Sequence, residues 1–335
     1  MSNPKYDVVA IGNAIVDVLS QSDDAFIVEA GMTKGSMALV FSPEEADALY
    51  AKMGPGVEAS GGSAANTVAG VAALGGTCGF IGQVASDELG AIFAHDIKSV
   101  GIDFTTPARG GEPTTARCLI FVTPDGQRTM NTFLGASQFL PESALDLGMI
   151  ADAAILYLEG YLWDPEEPRA AMRAAIEVSR KAGRKVAFTL SDVFCISRHG
   201  GDFRKLMADG LIDIMFANEA ELFALMETED FDAAVAAAAA QVPMLVVTRS
   251  ERGAIAASGG AVVAVPAEPI ERVVDTTGAG DLFAAGFLAG QAQGRSIEDS
   301  LKMGAICAAE IISHYGARSQ ADMKALVAAK LGAVA

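Results

Sequence analysis

The run Tyr6–Ile11 (YDVVAI) is apolar and rich in β-branched residues, and Gly12 and Asn13 close it. That pattern predicts a buried strand followed by a turn. From residue 151 onward, buried-type runs alternate with amphipathic stretches. AAILYLEG precedes a predicted helix at 165–182, KVAFTLS a helix at 201–209, and DIMFAN a helix at 219–227. An Ala-rich helix then leads into the strand MLVVTRS. Strands that are apolar throughout and alternate with amphipathic helices predict a doubly wound, mostly parallel sheet, an α/β fold.

Two stretches break this rhythm. Residues 15–41 alternate loosely between apolar and polar and predict exposed strands. Residues 114–134 predict a hairpin with Pro124-Asp125-Gly126-Gln127 as its turn. Together they predict a small antiparallel sheet, residues 15–41 and 113–135, laid as a lid over a core made of residues 1–14, 42–112 and 136–335. Ser42-Pro43-Glu44-Glu45 reads as a helix start, with Ser as cap and Pro in the first turn. The stretch after Gly61–Ser63 reads as a helix of small residues, and a strand is expected at Phe80–Val84.

Composition narrows the function. The 335 residues are 51% hydrophobic and 20% charged, enough for a large core. The net charge of −18, from 24 basic and 42 acidic residues, repels nucleic acid and anionic membranes. An anion must therefore be held locally, by backbone amides or a few placed cations. Cys78, Cys118, Cys195 and Cys307 are far apart and form no C-x-x-C pair, so reduced core thiols and a cytoplasmic protein are expected. The N-terminal stretch has no basic flank followed by a long apolar region, so no signal peptide is expected.

Candidate chemistry concentrates in VVDTTGAGDLFAAGFLAG, residues 273–290. An apolar run breaks from Asp275 to Asp281 and then resumes as a helix. Gly278, Ala279 and Gly280 place small residues just before that helix, where free N–H groups and the helix dipole suit a phosphate. A carboxylate at the lip of such a cradle, Asp281, would repel phosphate unless it receives a proton from an incoming hydroxyl, which is general-base work at a phosphoryl-transfer centre. Alone, Gly-Ala-Gly-Asp reads first as a turn with a capping Asp. No Gly-Lys dipeptide occurs, so there is no P-loop, and no G-x-G-x-x-G follows the first strand.

Gly61-Gly62-Ser63-Ala64-Ala65-Asn66 and DTTGAGD together closely resemble the two signatures of the PfkB, or ribokinase-like, family of sugar and nucleoside kinases, over nearly the whole chain. The resemblance implies ATP and Mg2+ as cofactors, with K+ as a further candidate, and a small-molecule acceptor as partner, in a monomer or homodimer. It implies acceptor contacts from Asp17, Gly61, Gly62, Ser63 and Asn66. Asn66 as a helix cap and Asp17 as a surface strand residue are the alternative readings. Asn218 and Glu221 match an N-x-x-E element that organises magnesium through water, and the same residues also read as a helix start. Thr248, Ser250 and Gly253 fall where the family has T-x-G-x-x-G beside the nucleotide, with Ser250 replacing a glycine. Thr276 and Gly316 join the implied nucleotide site, and Asp275 and Thr277, with Gly316, an implied monovalent-cation site. Arg128 matches a lid arginine that reaches the transferred phosphate in adenosine kinases.

The start GNAIVD and the long stretch between Asp17 and Gly61 resemble adenosine kinases, which implies Asn13 near the nucleoside and Tyr161 and Phe194 as aromatic contacts. Leu162 falls where a stacking phenylalanine is expected. Phosphorylation of a primary ribose hydroxyl is the expected reaction, with adenosine as acceptor. The alternatives are a free sugar or sugar acid as acceptor, or a non-catalytic sensor.

Overall fold

The computed structural model describes residues 3–332. In chain order its strands and helices are β1 Tyr6–Ile11, β2 Ile15–Gln21, α1 Asp24–Glu29, β3 Met37–Leu39, α2 Pro43–Tyr50, β4 Gly56–Gly61, α3 Ser63–Ala73, β5 Cys78–Ile81, α4 Glu88–Ser99, β6 Ile102–Phe104, β7 Ala116–Val122, β8 Arg128–Phe133, α5 Leu147–Ala151, β9 Ala153–Glu159, α6 Glu166–Lys181, β10 Lys185–Thr189, α7 Val193–Ala208, β11 Ile214–Asn218, α8 Glu219–Met226, α9 Phe231–Ala239, β12 Met244–Thr248, β13 Ala254–Ser258, β14 Ala261–Val265, α10 Ala279–Ala292, α11 Ile297–Ile311 and α12 Met323–Leu331.

The large sheet runs β14-β13-β12-β11-β10-β9-β1-β5-β6 and is parallel from β12 to β6. Successive side chains of a strand face opposite sides, so each strand feeds two cores. Val8 and Ala10 join Phe80, Tyr157 and Phe216 beneath α3, α10 and α11. Val9 and Ile11 join Leu156, Leu158 and Phe188 on the opposite face, against α6, α7 and α8. The doubly wound architecture expected from the sequence is thus present. It is extended by two antiparallel edge strands, β13 and β14.

The second sheet departs from expectation in three ways. Its order is β3-β8-β7-β2-β4, and it is mixed: β2 runs parallel to β7 and β3 parallel to β8. Apolar alternation carries no information on strand direction. Its fifth strand, β4, pairs antiparallel with β2, so residues 56–61, expected in the core block 42–112, belong to the small sheet. Within the stretch 15–41, expected as exposed strands, β2 and β3 are joined through a helix, α1, which Asp23 caps by accepting from the Phe26 N–H. Phe26 of α1 packs 5.2 Å from the Phe121 ring, which is why this short helix stays on the sheet.

Local signals hold elsewhere. Ser42 caps α2, with Pro43 in its first turn. The predicted hairpin is β7–β8. α7 begins earlier than expected, at Val193, because Asp192 caps it by accepting from the Cys195 N–H. The strand expected at Phe80–Val84 is shifted to Cys78–Ile81.

Candidate active site

The carboxyl ends of β9 to β12, the start of α3 and the start of α10 enclose a cavity of about 400 Å³. Ligands in open α/β sheets bind at such strand ends. Gly278 sits at φ +78°, the left-handed region, and turns the chain into α10. The Ala279 N–H donates to the Thr276 carbonyl at 3.2 Å, so of the three expected cradle amides it is already used. The Gly278 and Gly280 N–H groups make no hydrogen bond among the described residues. They remain free for an anion.

Asp281 lines this cavity. Its Oδ1 accepts from Ser63 Oγ at 2.6 Å and its Oδ2 from Asn66 Nδ2 at 3.0 Å. Burial pushes its carboxyl above the usual range, and those two donors and the charge of Arg318 pull back. A helix start tends to hold a carboxylate at low basicity, and here desolvation outweighs that and the stabilising contacts. Asn66 does not cap α3, whose cap is Gly62.

Asp17 lies on β2 of the small sheet, paired with Ala59 of β4 and Cys118 of β7. A methyl group added at Gly61 would lie 2.5 Å from its carboxyl, so only glycine leaves room there. Burial pushes the Asp17 carboxyl up to about 6, with Arg318 and Arg128 opposing. Gly62 has φ +99°, and a methyl group there would meet the Asn13 carbonyl at 2.1 Å. Asn13 is buried, and its backbone N–H and Nδ2 each donate to Glu159 Oε1 at 2.7 Å. Glu159 Oε2 accepts from the Ala64 N–H at 2.8 Å. One buried carboxylate at the end of β9 thus holds both the Asn13 turn and the first turn of α3. Burial pushes it up to about 7, against its three donors.

Asn218 and Glu221 form a reciprocal capping box at the start of α8. Asn218 Oδ1 accepts from the Glu221 N–H at 2.8 Å, and Glu221 Oε2 from the Asn218 N–H at 3.0 Å. Both residues also line the cavity. Burial pushes the Glu221 carboxyl up to about 7. Thr248, Ser250 and Gly253 line a neighbouring cavity of about 200 Å³, whose wall is Ala305, Ala308, Ala309 and Ile312. The two cavities share Thr248, Ala279, Gly280 and Phe283 and read as one continuous trough.

Arg128 is salt-bridged to Asp275 Oδ2. The same oxygen accepts from the Gly316 N–H at 3.2 Å, and Oδ1 from the Thr277 N–H at 3.0 Å. Burial raises the Asp275 carboxyl, and the Thr277 amide and Arg128 more than offset it, leaving it below the usual range. The residues expected at the cation site, Asp275, Thr277 and Gly316, therefore meet, and in this arrangement a guanidinium and two amides engage the carboxylate. No cluster of His, Cys, Asp and Glu suited to a metal exists among the described residues.

The aromatic expectations divide. Tyr161 lines the main cavity. Phe194 does not; it is 72% exposed in the first turn of α7. Leu162 is fully buried in the core beside Trp163 and offers no face to a base. Two residues escaped sequence reasoning. Glu159 could have been found as an acid ending an otherwise apolar strand. Arg318 carries no local signal. The four cysteines are free and buried, and no helix among the described residues is long and apolar enough to cross a membrane.

Residues 35–324 match the pfkB family carbohydrate kinase profile. The chain belongs to this family. It is an ATP-dependent kinase. It is 32% identical over 249 residues to a fructokinase of Klebsiella pneumoniae, covering 73% of this chain and 80% of the relative. Among solved structures, an adenosine kinase from Sinorhizobium meliloti shares 48% identity with a TM-score of 0.89, over 98% of this chain and all of that one. A probable sugar kinase from Rhizobium etli shares 45% identity with a TM-score of 0.90, over 98% and 99% of the two chains.

Proposed function

We propose that this pfkB kinase phosphorylates the primary ribose hydroxyl of a nucleoside, with adenosine as acceptor and AMP as product. The observation that carries this reading is the convergence on one cavity of a raised carboxylate, Asp281, free amides at Gly278 and Gly280, and Ser63 of the acceptor loop, with Asn66 donating to the same carboxylate. The similarity to the Sinorhizobium meliloti adenosine kinase supports the choice of nucleoside.

In this reading Asp17 accepts hydrogen bonds from ribose hydroxyls, which suits a carboxylate with acceptor capacity on both oxygens. Asp281 orients the attacking hydroxyl and takes its proton. The amides of Gly278 and Gly280 hold developing charge on the transferred group. Tyr161 offers its ring to the base across the cavity. ATP phosphates lie along the trough, with Thr276 beside the cradle and Thr248, Ser250 and Gly253 near the nucleotide. Magnesium, when bound, neutralises the phosphates. Asn218 and Glu221 fit it through water only, since their polar atoms are largely engaged with each other. Arg128, released from Asp275, would supply positive charge from the small sheet.

A free sugar is the second reading. The similarity to a fructokinase favours it, as does the loss of Leu162 and Phe194 as stacking groups. Incubation with ATP, magnesium and a panel of nucleosides and sugars tests the choice. AMP formed from adenosine supports the first reading; a phosphorylated sugar with adenosine untouched overturns it.

A further inference from the structure

Arg318 lies on the loop between α11 and α12 and plays no part in the roles assigned above. Its side chain reaches across the molecule. Nη2 donates to the Ser60 carbonyl at 2.5 Å and to Ser60 Oγ at 2.9 Å, at the end of β4 in the small sheet. Nη1 donates to Asn66 Oδ1 on α3. Ser60 is fixed from its other side, since its N–H and Oγ donate to Asp96 Oδ2 at 2.7 and 2.6 Å. The loop is tethered too: Glu310 Oε1 accepts from the Gln320 and Ala321 N–H groups at 2.8 and 2.9 Å.

These contacts have a chemical direction. A guanidinium only donates, so the oxygen of the Asn66 amide must face Arg318. The NH2 of the same amide then has to point the other way. There it meets Asp281 Oδ2, which as a carboxylate only accepts. The chain Arg318 to Asn66 to Asp281 is satisfied in one orientation of the amide alone. Without Arg318, Asn66 is free to rotate and set its oxygen against the Asp281 carboxylate, or to leave it.

We propose that Arg318 is a positioning residue for the phosphoryl-transfer centre: it locks the Asn66 amide against Asp281 and pins the end of β4 beside the acceptor loop. The inference rests on Asp281 as the reacting carboxylate. Arg318 touches neither oxygen of Asp281 and acts through Asn66.

The test measures turnover of ATP with the acceptor that the wild-type chain phosphorylates, adenosine or failing that fructose. If fructose alone is turned over, the nucleoside reading falls and this test proceeds unchanged on fructose. Arg318→Met keeps the apolar stem and removes the donors. It is expected to lower kcat by about 10- to 100-fold, the scale of a small misplacement at a reacting centre, with KM for ATP within about two-fold. Arg318→Lys, which returns the charge and one donor, should recover part of that loss. In an Asn66→Ala background, Arg318→Met should cost less than about three-fold, because residues acting through one another are not additive. A kcat for Arg318→Met within about two-fold of wild type overturns the proposal, as does an equal loss with and without Asn66. If Arg318→Met does not fold, as judged by its melting transition, the same cycle is run with Arg318→Lys, and additivity with Asn66→Ala again overturns it.

Discussion

Arg128 of the small sheet is salt-bridged to Asp275 of the large domain, and the two side chains are only 6% and 8% exposed. The pair ties the start of β8 to the turn ahead of α10. Removing one partner of a buried pair leaves the other charged and unpaired, at a cost of about 3–5 kcal/mol. Arg128→Ala should lose stability on that scale in denaturant unfolding. It should also lose kcat more than acceptor affinity, if the guanidinium moves to the phosphates during turnover.

The same pairing predicts the response to potassium. Asp275 is already engaged by Arg128 and by the Thr277 and Gly316 amides. When Arg128 moves to the phosphates it leaves that carboxylate without its counter-charge, so exchanging potassium for tetramethylammonium at constant ionic strength should lower kcat and leave acceptor binding unchanged. A kcat indifferent to potassium would show that Arg128 stays on Asp275 through turnover.

Asp17 sets a pH dependence. Its carboxyl is pushed up to about 6, chiefly by burial. Above that value it is ionised and, in the proposed role, can accept from the acceptor's hydroxyls; below it, a proton occupies that oxygen. kcat/KM for the acceptor should therefore fall as pH drops through about 6, while KM for ATP stays level. Asp17→Asn should lower kcat/KM and leave only the acid limb that Asp281 contributes.

Gly62 carries both a positive φ and a carbonyl at its back. Alanine there would meet the Asn13 oxygen at 2.1 Å and adopt φ +99°. Strain of this kind costs about 1–3 kcal/mol before the clash is counted. Gly62→Ala should lower the melting temperature and abolish measurable acceptor binding in calorimetry, since the displaced groups are Asn13 and the loop into α3.

Much of this architecture is legible in short stretches of sequence. Helix α2 is announced by its own Ser-Pro-Glu-Glu start, and the buried strands by unbroken apolar runs. The break at 275–281 marks the turn into α10, with its free amides, because seven polar or small residues interrupt a hydrophobic stretch. What is not legible is whatever depends on distant pairing. Strand direction in the small sheet is decided by which edges meet, and alternation is blind to it. Arg318 stands 252 residues from Asn66, and nothing around it marks it as more than a surface arginine. That the Asp275 carboxylate pairs with Arg128 is likewise invisible until the fold brings the two together. Phe194 and Leu162 show the same limit: a hydrophobic residue near a site motif can face solvent or core, and only packing decides.

In the proposed reaction the turn ahead of α10 is where an alcohol receives a phosphoryl group, with Asp281 as its proton acceptor. Asp281→Asn tests it most directly, because the amide keeps the shape and loses the basicity. The account predicts that this variant still binds adenosine in calorimetry, while rapid-quench single turnover with ATP and magnesium is slowed by about 10²- to 10⁴-fold, the range of general-base contributions. A variant that binds adenosine and forms AMP at the wild-type rate would contradict it.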